Sequence, residues 1–469
     1  MRQCVIFGCG QVGNAAYIKL RELYNVIAWS DNNSELWGKR KENRRIIAPS
    51  ELQNMCINID LDVVVAVSLY KDICSQLERL KIENIILWKV GFLYLYKNNR
   101  FYPLKADNKI YHTKGHDKGY HILFVQTSAC IRTHKIAKAL KKRGINVSLA
   151  FLTESPAWSN CEYAKIYDNI YPVISMEQFI DFVNKSEFDF VHSSNEPDFL
   201  TMLLNQTNKA VIHDCHDLSS AYIRMSPEEL FIEYAANKKS RGVIYTTEGI
   251  RNEALKKFDI SVEKTFVLEN LISEELMPNS KYEKLSRKDH EMHCVYEGGV
   301  IPHDHESHRY FEDIWRNLAE HGIHVHFYTT CNKEYCKYLE SLHEKIHYEG
   351  NLSSQRLAAE MTKYDVGLCI LNVTEKNKQY LEYASPNKIQ EYVNAGIPVA
   401  VGAIESQRDF VESNRFGRQI DMKGNIYEQI RSISLIPIED GILGEKGFTL
   451  ESRIDDLICF YEKCVKGSI

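Results

Sequence analysis

The chain has 469 residues, 44% of them apolar, which is enough for two to four domains with real cores. Its 58 Lys and Arg against 63 Asp and Glu leave a net charge of −5, which argues against the strongly basic domain that general nucleic-acid binding needs. Thirteen cysteines without a C-x-x-C pair suggest neither a disulfide framework nor a zinc ribbon, and there is no run of about 18 apolar residues to span a membrane.

The start MRQCVIFGCG runs directly into a strand pattern rather than a signal peptide, so a cytoplasmic location is expected. Residues 1–100 alternate strand and helix patterns: CVIFGCG, a helix through Leu20, then NVIAWSD, DVVVAVS and ENIILW. This is the pattern of a small parallel α/β unit. The turn Gly8-Cys9-Gly10-Gln11-Val12-Gly13 follows a strand and opens a helix, and Asp31 ends the second strand. Gly8 and Gly10 let the backbone turn tightly beside a pyrophosphate, Gly13 lets the helix approach the strand, and Asp31 is placed to accept from ribose hydroxyls. The unit resembles the Rossmann-like N-terminal domains of bacterial surface-polysaccharide enzymes, including the nucleotide-sugar-binding domain of sialic-acid-type sugar acetyltransferases. NAD or a nucleotide sugar is the ligand such a motif implies. No substrate domain with a Tyr-x-x-x-Lys pair or a similar catalytic set follows this unit, which puts structural or regulatory binding ahead of hydride transfer. Asp60-Leu61-Asp62 has a D-x-D form but precedes a buried strand, and is read as a strand edge.

From Phe92 to Gly119 no period is sustained, and 101–119 is read as a linker. A second α/β pattern fills 120–280, with strands HILFVQT, VSLAFL, DFVHSS, AVIHD, GVIYTT and TFVLEN. Its first helix, 134–143, sets Lys135, Lys138, Lys141, Lys142 and Arg143 beside an apolar stripe of Ile136, Ala139 and Leu140. That helix reads either as a solvated basic face or as a peripheral contact with the anionic inner face of a membrane. His213-Asp214-Cys215-His216-Asp217 ends the strand AVIHD, where open α/β sheets present ligand residues; a polar loop is the alternative. Glu233, in the following helix, and Thr246, Thr247 and Glu248, at the end of GVIYTT, are second-rank candidates.

The charged run 281–293 reads as a linker into a third α/β unit, 281–449, with strands HCVYEGGV, HVHFYTT, IHYEG, DVGLCIL and PVAV. Glu297-Gly298-Gly299 closes its first strand, and Arg309 follows in the loop. His303, His305 and His308 share that loop without a carboxylate cluster, so no metal is assigned. In SPNKIQEYVNAGIPVAV, residues 385–401, Ser385 suits an N-cap and Pro386 the first helical position, while Gly396 and Pro398 stop the helix after about three turns. The N-terminus at Asn387 and Lys388, with Glu391 one turn deeper, suits a nucleotide diphosphate and its ribose; a capped surface helix has the same features. The last helix, in 450–469, is expected to pack back on the N-terminal half.

The order strand, loop, helix with L-x-x-R-G, the H-D pair at 213–214 and the P-N-K, E-Y and G-x-P of the 385–401 stretch resemble GT-B glycosyltransferases of the family 4 type. That fold is two Rossmann-like α/β domains facing a cleft, here preceded by a third small Rossmann-like domain. The resemblance implies a nucleotide diphosphate sugar donor, with Glu391 on the ribose and the helix N-terminus facing the diphosphate. It further implies Gly298 and Gly299 allowing close approach, Arg309 and then Lys388 neutralising the leaving group, and His213, Asp214, His216 or Asp217 near the transferred sugar. The implied reaction is metal-independent, retaining transfer to a saccharide or lipid-linked acceptor in bacterial capsule, O-antigen or exopolysaccharide assembly. One departure stands out: the family pairs glutamates as E-x7-E, whereas Tyr383 stands where the first should be, with Glu382 beside it and Glu375 and Asn377 in the preceding loop. This leaves open a sugar-nucleotide-binding scaffold or sensor without turnover, and residues 1–100 leave open an NAD-dependent enzyme.

Overall fold

The computed structural model describes residues 2–67, 70–89, 92–97, 100–103, 120–128, 130–153, 166–173, 176–194, 198–221, 225–384 and 387–466. Among these residues the strands form three sheets.

The first sheet holds β1 (Gln3–Phe7), β2 (Asn25–Ser30), β3 (Arg40–Lys41), β4 (Arg44–Ile47), β5 (Asp62–Val65), β6 (Ile85–Lys89), β7 (Phe92–Lys97) and β8 (Arg100–Pro103), in the order β3-β4-β2-β1-β5-β6-β7-β8. Strands β4, β2, β1, β5 and β6 are parallel. Val5, Phe7, Val63, Val65, Ile85 and Leu87 fill one core, and Cys4, Ile6, Val64, Ile86 and Trp88 the other. Both faces are buried, which is why these strands read as unbroken apolar runs. The segment after Phe92 departs from the expected connector: β7 and β8 add antiparallel to the edge of this sheet, so the unit runs to Pro103. Leu93 and Leu95 join one core while Tyr94 and Tyr96 join the other. With apolar residues on both faces, the period-two alternation is invisible in the sequence. The remainder of the expected linker, 104–119, lies outside the described residues.

The second sheet holds β9 (His121–Ser128), β10 (Asn146–Thr153), β11 (Ile170–Pro172), β12 (Phe190–Ser194), β13 (Ala210–Cys215), β14 (Gly242–Tyr245) and β15 (Thr265–Val267), in the order β11-β10-β9-β12-β13-β14-β15. The helix Ile131–Lys142 buries Arg132, Thr133, His134, Ile136, Ala137, Ala139 and Leu140. Its apolar stripe is therefore spent on the protein core, which removes the membrane-facing half of the reading given to the 134–143 helix. Lys141 pairs with Asp168. Among the described residues no helix is long and apolar enough to cross a membrane.

The third sheet holds β16 (Met292–Glu297), β17 (Ile323–Tyr328), β18 (Ile346–Gly350), β19 (Val366–Cys369), β20 (Val399–Val401) and β21 (Gly417–Gln419), all parallel, in the order β18-β17-β16-β19-β20-β21. The charged run before it is not a free linker. Leu285 N–H donates to Lys363 O at 2.9 Å and Ser286 Oγ to Asp365 at 2.6 Å, stitching the run to the approach to β19.

The helix at the heart of the 385–401 stretch spans Asn387–Asn394, nearer two turns than three; Ser385 and Pro386 lie outside the described residues. It stops as expected. Gly396 sits at φ +73, and Ile397 N–H reaches back to Tyr392 O at 3.1 Å, a glycine-terminated C-cap. By internal contacts the chain divides into two compact units, residues 1–216, 231–243 and 461–469 in one and 217–230 and 244–460 in the other. The C-terminal helix Leu450–Lys466 starts with Leu450 N–H on Ile272 O, and near its end Tyr461 reaches His192.

Candidate functional site

In the second unit the chemistry gathers at the carboxyl end of β16. The strand ends at Glu297, and Gly298 continues its ladder by donating to Tyr328 O at 3.0 Å. Gly298 has φ +128, and a Cβ there would lie 3.0 Å from both Cε and Nζ of Lys388. A Cβ on Gly299 would lie 2.8 Å from a terminal nitrogen of Arg309. The two glycines thus seat two cations against bare backbone. Lys388 Nζ also lies 5.3 Å from the centre of the Tyr296 ring, a cation–π contact. The loop that carries Arg309 is braced by Asn372, whose amide donates to His305 O at 2.7 Å and Ser307 O at 3.0 Å.

Glu391 sits one turn into the helix and places its carboxylate beside that of Glu297. Burial, then the Glu391 charge, pushes the Glu297 carboxyl well above the usual range, against the pull of Lys388 and Arg309. Two carboxylates beside two cations can hold a shared proton while an anion occupies the cations. Tyr392 fixes the pair: its fully buried hydroxyl accepts from Glu297 N–H at 3.1 Å and donates to Leu368 O at 3.2 Å. Gly367 makes room for it, since a Cβ there would lie 2.2 Å from the Tyr392 ring. His308 accepts from Arg309 Nε at 3.2 Å; burial, followed by the Arg309 and Lys388 charges, lowers it to about 4, so it stays a neutral acceptor. Sequence reasoning named Gly298, Gly299, Arg309, Asn387, Lys388 and Glu391, and the structure brings all but the exposed Asn387 together. It passed over Glu297, whose signal was a carboxylate ending an apolar strand immediately before two glycines.

Two of the three stand-ins for the missing first glutamate, Glu382 and Asn377, have other occupations, while Glu375 is exposed. Glu382 accepts from the backbone N–H groups of Glu405 and Ser406 at 3.0 and 3.1 Å, capping the helix Glu405–Ser413. Asn377 braces its own loop, accepting from Thr374 N–H and donating to Glu306 O and Asn372 O. Tyr383 lies over Gly249, where a Cβ would come within 2.9 Å of its ring, and its carbonyl accepts from Thr247 Oγ1 at 3.2 Å. Glu248 is largely exposed and pairs with Arg251. Among the loop histidines, His303 approaches Glu312 at 3.3 Å, His305 packs on Tyr310 and His308 serves Arg309, so the three do not converge.

In the first unit a buried polar network centres on Asp214. Arg132 grips its carboxylate with two nitrogens, each at 3.0 Å, and His216 Nε2 lies 3.1 Å from Oδ2. His192 Nε2 lies 3.4 Å from the same oxygen, while its Nδ1 accepts from Tyr461 at 2.7 Å. Burial alone would raise the Asp214 carboxyl, but Arg132, with His216 and His192, holds it well below the usual range. Asp214 is fully buried and works through its neighbours. His213 is likewise buried, facing Thr201 at 3.1 Å and Asp198 at 3.3 Å, which removes it as a direct sugar contact. His216 is the partly exposed member of the network, and Ser194 Oγ stands 3.1 Å from its Nε2. Glu233 is fully buried in the helix Pro227–Lys239, and Asp217 is partly exposed in the second unit.

The N-terminal fingerprint folds as its spacing predicts. A Cβ on Gly8 (φ +112) would strike Ala66 O at 2.6 Å, one on Gly13 would strike Gly8 O at 1.9 Å, and Gly10 faces open space. Asp31 turns inward: one oxygen accepts from Cys9 N–H in the fingerprint turn at 2.7 Å and the other from Asn33 N–H just after β2 at 2.9 Å, so both brace backbone rather than face a ribose.

Two family models match parts of the chain: "Glucosyltransferase 3-like, C-terminal domain" over residues 311–437, and "C2185-like, N-terminal" over residues 1–86. No curated protein matches it. Among solved structures, a glycosyltransferase from Rickettsia africae ESF-5 is similar with TM-score 0.54 at 13% identity, over 74% of this chain and 99% of the other. Sucrose-phosphate synthase from Thermosynechococcus elongatus is similar with TM-score 0.52 at 13% identity, over 74% of this chain and 100% of the other. Anabaena Alr3699/HepE in complex with UDP and glucose is similar with TM-score 0.52 at 14% identity, over 73% and 98%. At such identities the likeness speaks for fold, and the fold it shows is the α/β architecture of GT-B glycosyltransferases.

Proposed function

We propose that the chain is a glycosyltransferase that takes a nucleoside diphosphate sugar at the carboxyl end of β16. The observation that carries this reading is the convergence of Lys388 and Arg309, each seated on a glycine, with the Glu297–Glu391 pair. The cations meet the diphosphate and stabilise the charge that grows on it as the sugar leaves, which is where fixed charges in such a site lower the barrier most. The carboxyl pair serves hydroxyl groups: Glu391 accepts from the ribose, and the proton held at Glu297 gives that neighbour a donor. The glucosyltransferase 3-like model spans Lys388 and Glu391, and the HepE structure with UDP and glucose shares the fold.

In the first unit, His216, oriented by Asp214, is the group we assign to a sugar hydroxyl, while Asp214 is a positioning residue. The reaction is transfer with retention, as in the family the sequence resembles, to a saccharide or lipid-linked acceptor in assembly of a bacterial surface polysaccharide. The test is incubation with UDP- and GDP-sugars, alone and with saccharide acceptors, reading nucleotide release and product anomer. Slow hydrolysis or transfer that Glu391→Ala reduces at least tenfold, about 1.4 kcal/mol, supports the reading. The absence of both turnover and nucleotide binding would sink it.

Tyr383 in place of the first glutamate favours a second reading, a protein that binds a sugar nucleotide without turning it over. Nucleotide binding that Glu391→Ala abolishes, with no turnover on any donor and acceptor pair, selects that reading.

A further inference from the structure

Four histidines share one face of the third sheet, away from the residues discussed above. His293 on β16 is in register with His324 on β17, and His326 on β17 with His347 on β18. His324 and His326 are two residues apart on one strand, so the four rings stand on the same side. The ring centres of both cross-strand pairs are 4.6 Å apart. His293 and His326 are buried, and His324 and His347 half-buried. Tyr364 covers His326 with its ring centre 4.8 Å away.

Each of three rings has a carboxylate on one nitrogen. Asp289 Oδ2 lies 2.9 Å from His293 Nε2, Glu349 Oε1 lies 2.7 Å from His326 Nδ1, and Glu291 Oε2 lies 2.7 Å from His324 Nε2. Glu291 also pairs with Lys345, whose ammonium is 2.9 Å from His324 Nε2. A carboxylate accepts only from an N–H, which directs the opposite nitrogens of His293 and His326, Nδ1 and Nε2, inward with lone pairs. These two stand 2.9 Å apart. From Asp289 through His293 and His326 to Glu349 there are three hydrogen-bond gaps, and two neutral imidazoles bring only two protons. The two inner nitrogens at the His293–His326 gap therefore meet lone pair to lone pair, an arrangement that a shared cation, a proton or a metal ion, relieves.

We propose that His293, His324 and His326 bind one divalent transition metal ion of the zinc class, with His347 as a fourth nitrogen. One nitrogen from each of the three lies within 4.8 Å of the others. A tetrahedral ion with bonds of about 2.0–2.1 Å sets its ligands roughly 3.3 Å apart, within reach of small ring rotations. His347 Nε2 is 2.8 Å from His324 Nδ1. The carboxylates on the outer nitrogens are the second shell that metal-binding histidines use to fix tautomer and raise basicity. The ion would join β16 to β17, and β18 through His347. Glu297 is four residues further along β16, about 13 Å away at roughly 3.3 Å per residue, so the ion acts on the sheet and not on the reacting sugar.

The test uses the full-length chain stripped of metal and titrated with Co²⁺ and then Zn²⁺. The expected result is one equivalent of Co²⁺ with visible d–d bands, displaced by Zn²⁺, and a raised melting temperature in the loaded protein. His326→Gln and His324→Gln lose the bands, and Glu349→Gln weakens binding about 10–100-fold. His324 is the less buried ligand, so its variant decides if His326→Gln does not fold. A wild type with no saturable Co²⁺ bands, or a folded His324→Gln that keeps wild-type affinity, overturns the proposal.

Discussion

Asp214→Asn tests whether Asp214 is the hub of a buried charge network or a group that meets substrate. Asp214 is 0% exposed and Arg132 8%, and two nitrogens of the guanidinium reach the carboxylate at 3.0 Å each. Removing one charge of such a pair strands the other in a poorly solvated site, which costs about 3–5 kcal/mol. A domain holds only about 5–15 kcal/mol in total, so the variant should fold but lose a large share of its reserve. Arg132→Met should cost a similar amount, and the double variant clearly less than the sum, because no unpaired charge remains. A chain of two compact units does not unfold in one step, so the readout is hydrogen exchange of the β9, β12 and β13 amides, with urea unfolding in support. Asp214→Asn within about 0.5 kcal/mol of wild type, or singles that simply add, would refute the coupling. The sign with pH follows from the depressed carboxyl: its contribution is complete above the ordinary carboxylate range and is lost only as pH falls through the lower folded value.

Tyr392→Phe should cost about 1–3 kcal/mol in urea unfolding, because it leaves the Glu297 N–H and the Leu368 carbonyl without their partner. Gly298→Ala and Gly299→Ala should each weaken UDP or GDP binding roughly tenfold by calorimetry, about 1.4 kcal/mol, by displacing Lys388 and Arg309; unchanged affinity would mean the cations do not meet the diphosphate. Metal-free protein should lose stability as pH falls from about 6.5 towards 4. Neutral His347 and His308 are both lowered to about 4, so the unfolded chain binds those protons first, and His347→Gln should flatten that slope in urea titrations at several pH values. Asp31→Asn should destabilise the N-terminal unit by about 1.5–3 kcal/mol, read from exchange of the β1 and β2 amides, since it weakens the charge-assisted bond to Cys9 in the fingerprint turn and the one to Asn33 just after β2.

Much of the architecture was legible because it rests on local rules. Apolar strand runs, a glycine turn with positive φ at Gly8 and a glycine stop at Gly396 each carry their physics in adjacent residues. What escaped was set by partners distant in the chain. Asp31 was placed correctly at its strand end, yet its task depends on where the Cys9 amide falls, which only the folded turn decides. His213 and His216 look alike in sequence, but they leave the same strand end towards different neighbours, Thr201 and Asp198 for one and Asp214 and Ser194 for the other. Glu382 fell one residue from the family position, and its task became capping a helix that begins more than twenty residues later. The histidine face was hidden because its members come from three strands and pair only through the register.

The hydroxyl of Tyr392 joins the backbone of β16 to that of β19 from within the helix that bears Lys388 and Glu391. One buried oxygen therefore fixes the backbone positions from which the two carboxylates project before any ligand arrives. Backbone order that binding would otherwise have to create is already in place from folding, so an incoming nucleotide meets a site whose framework is set.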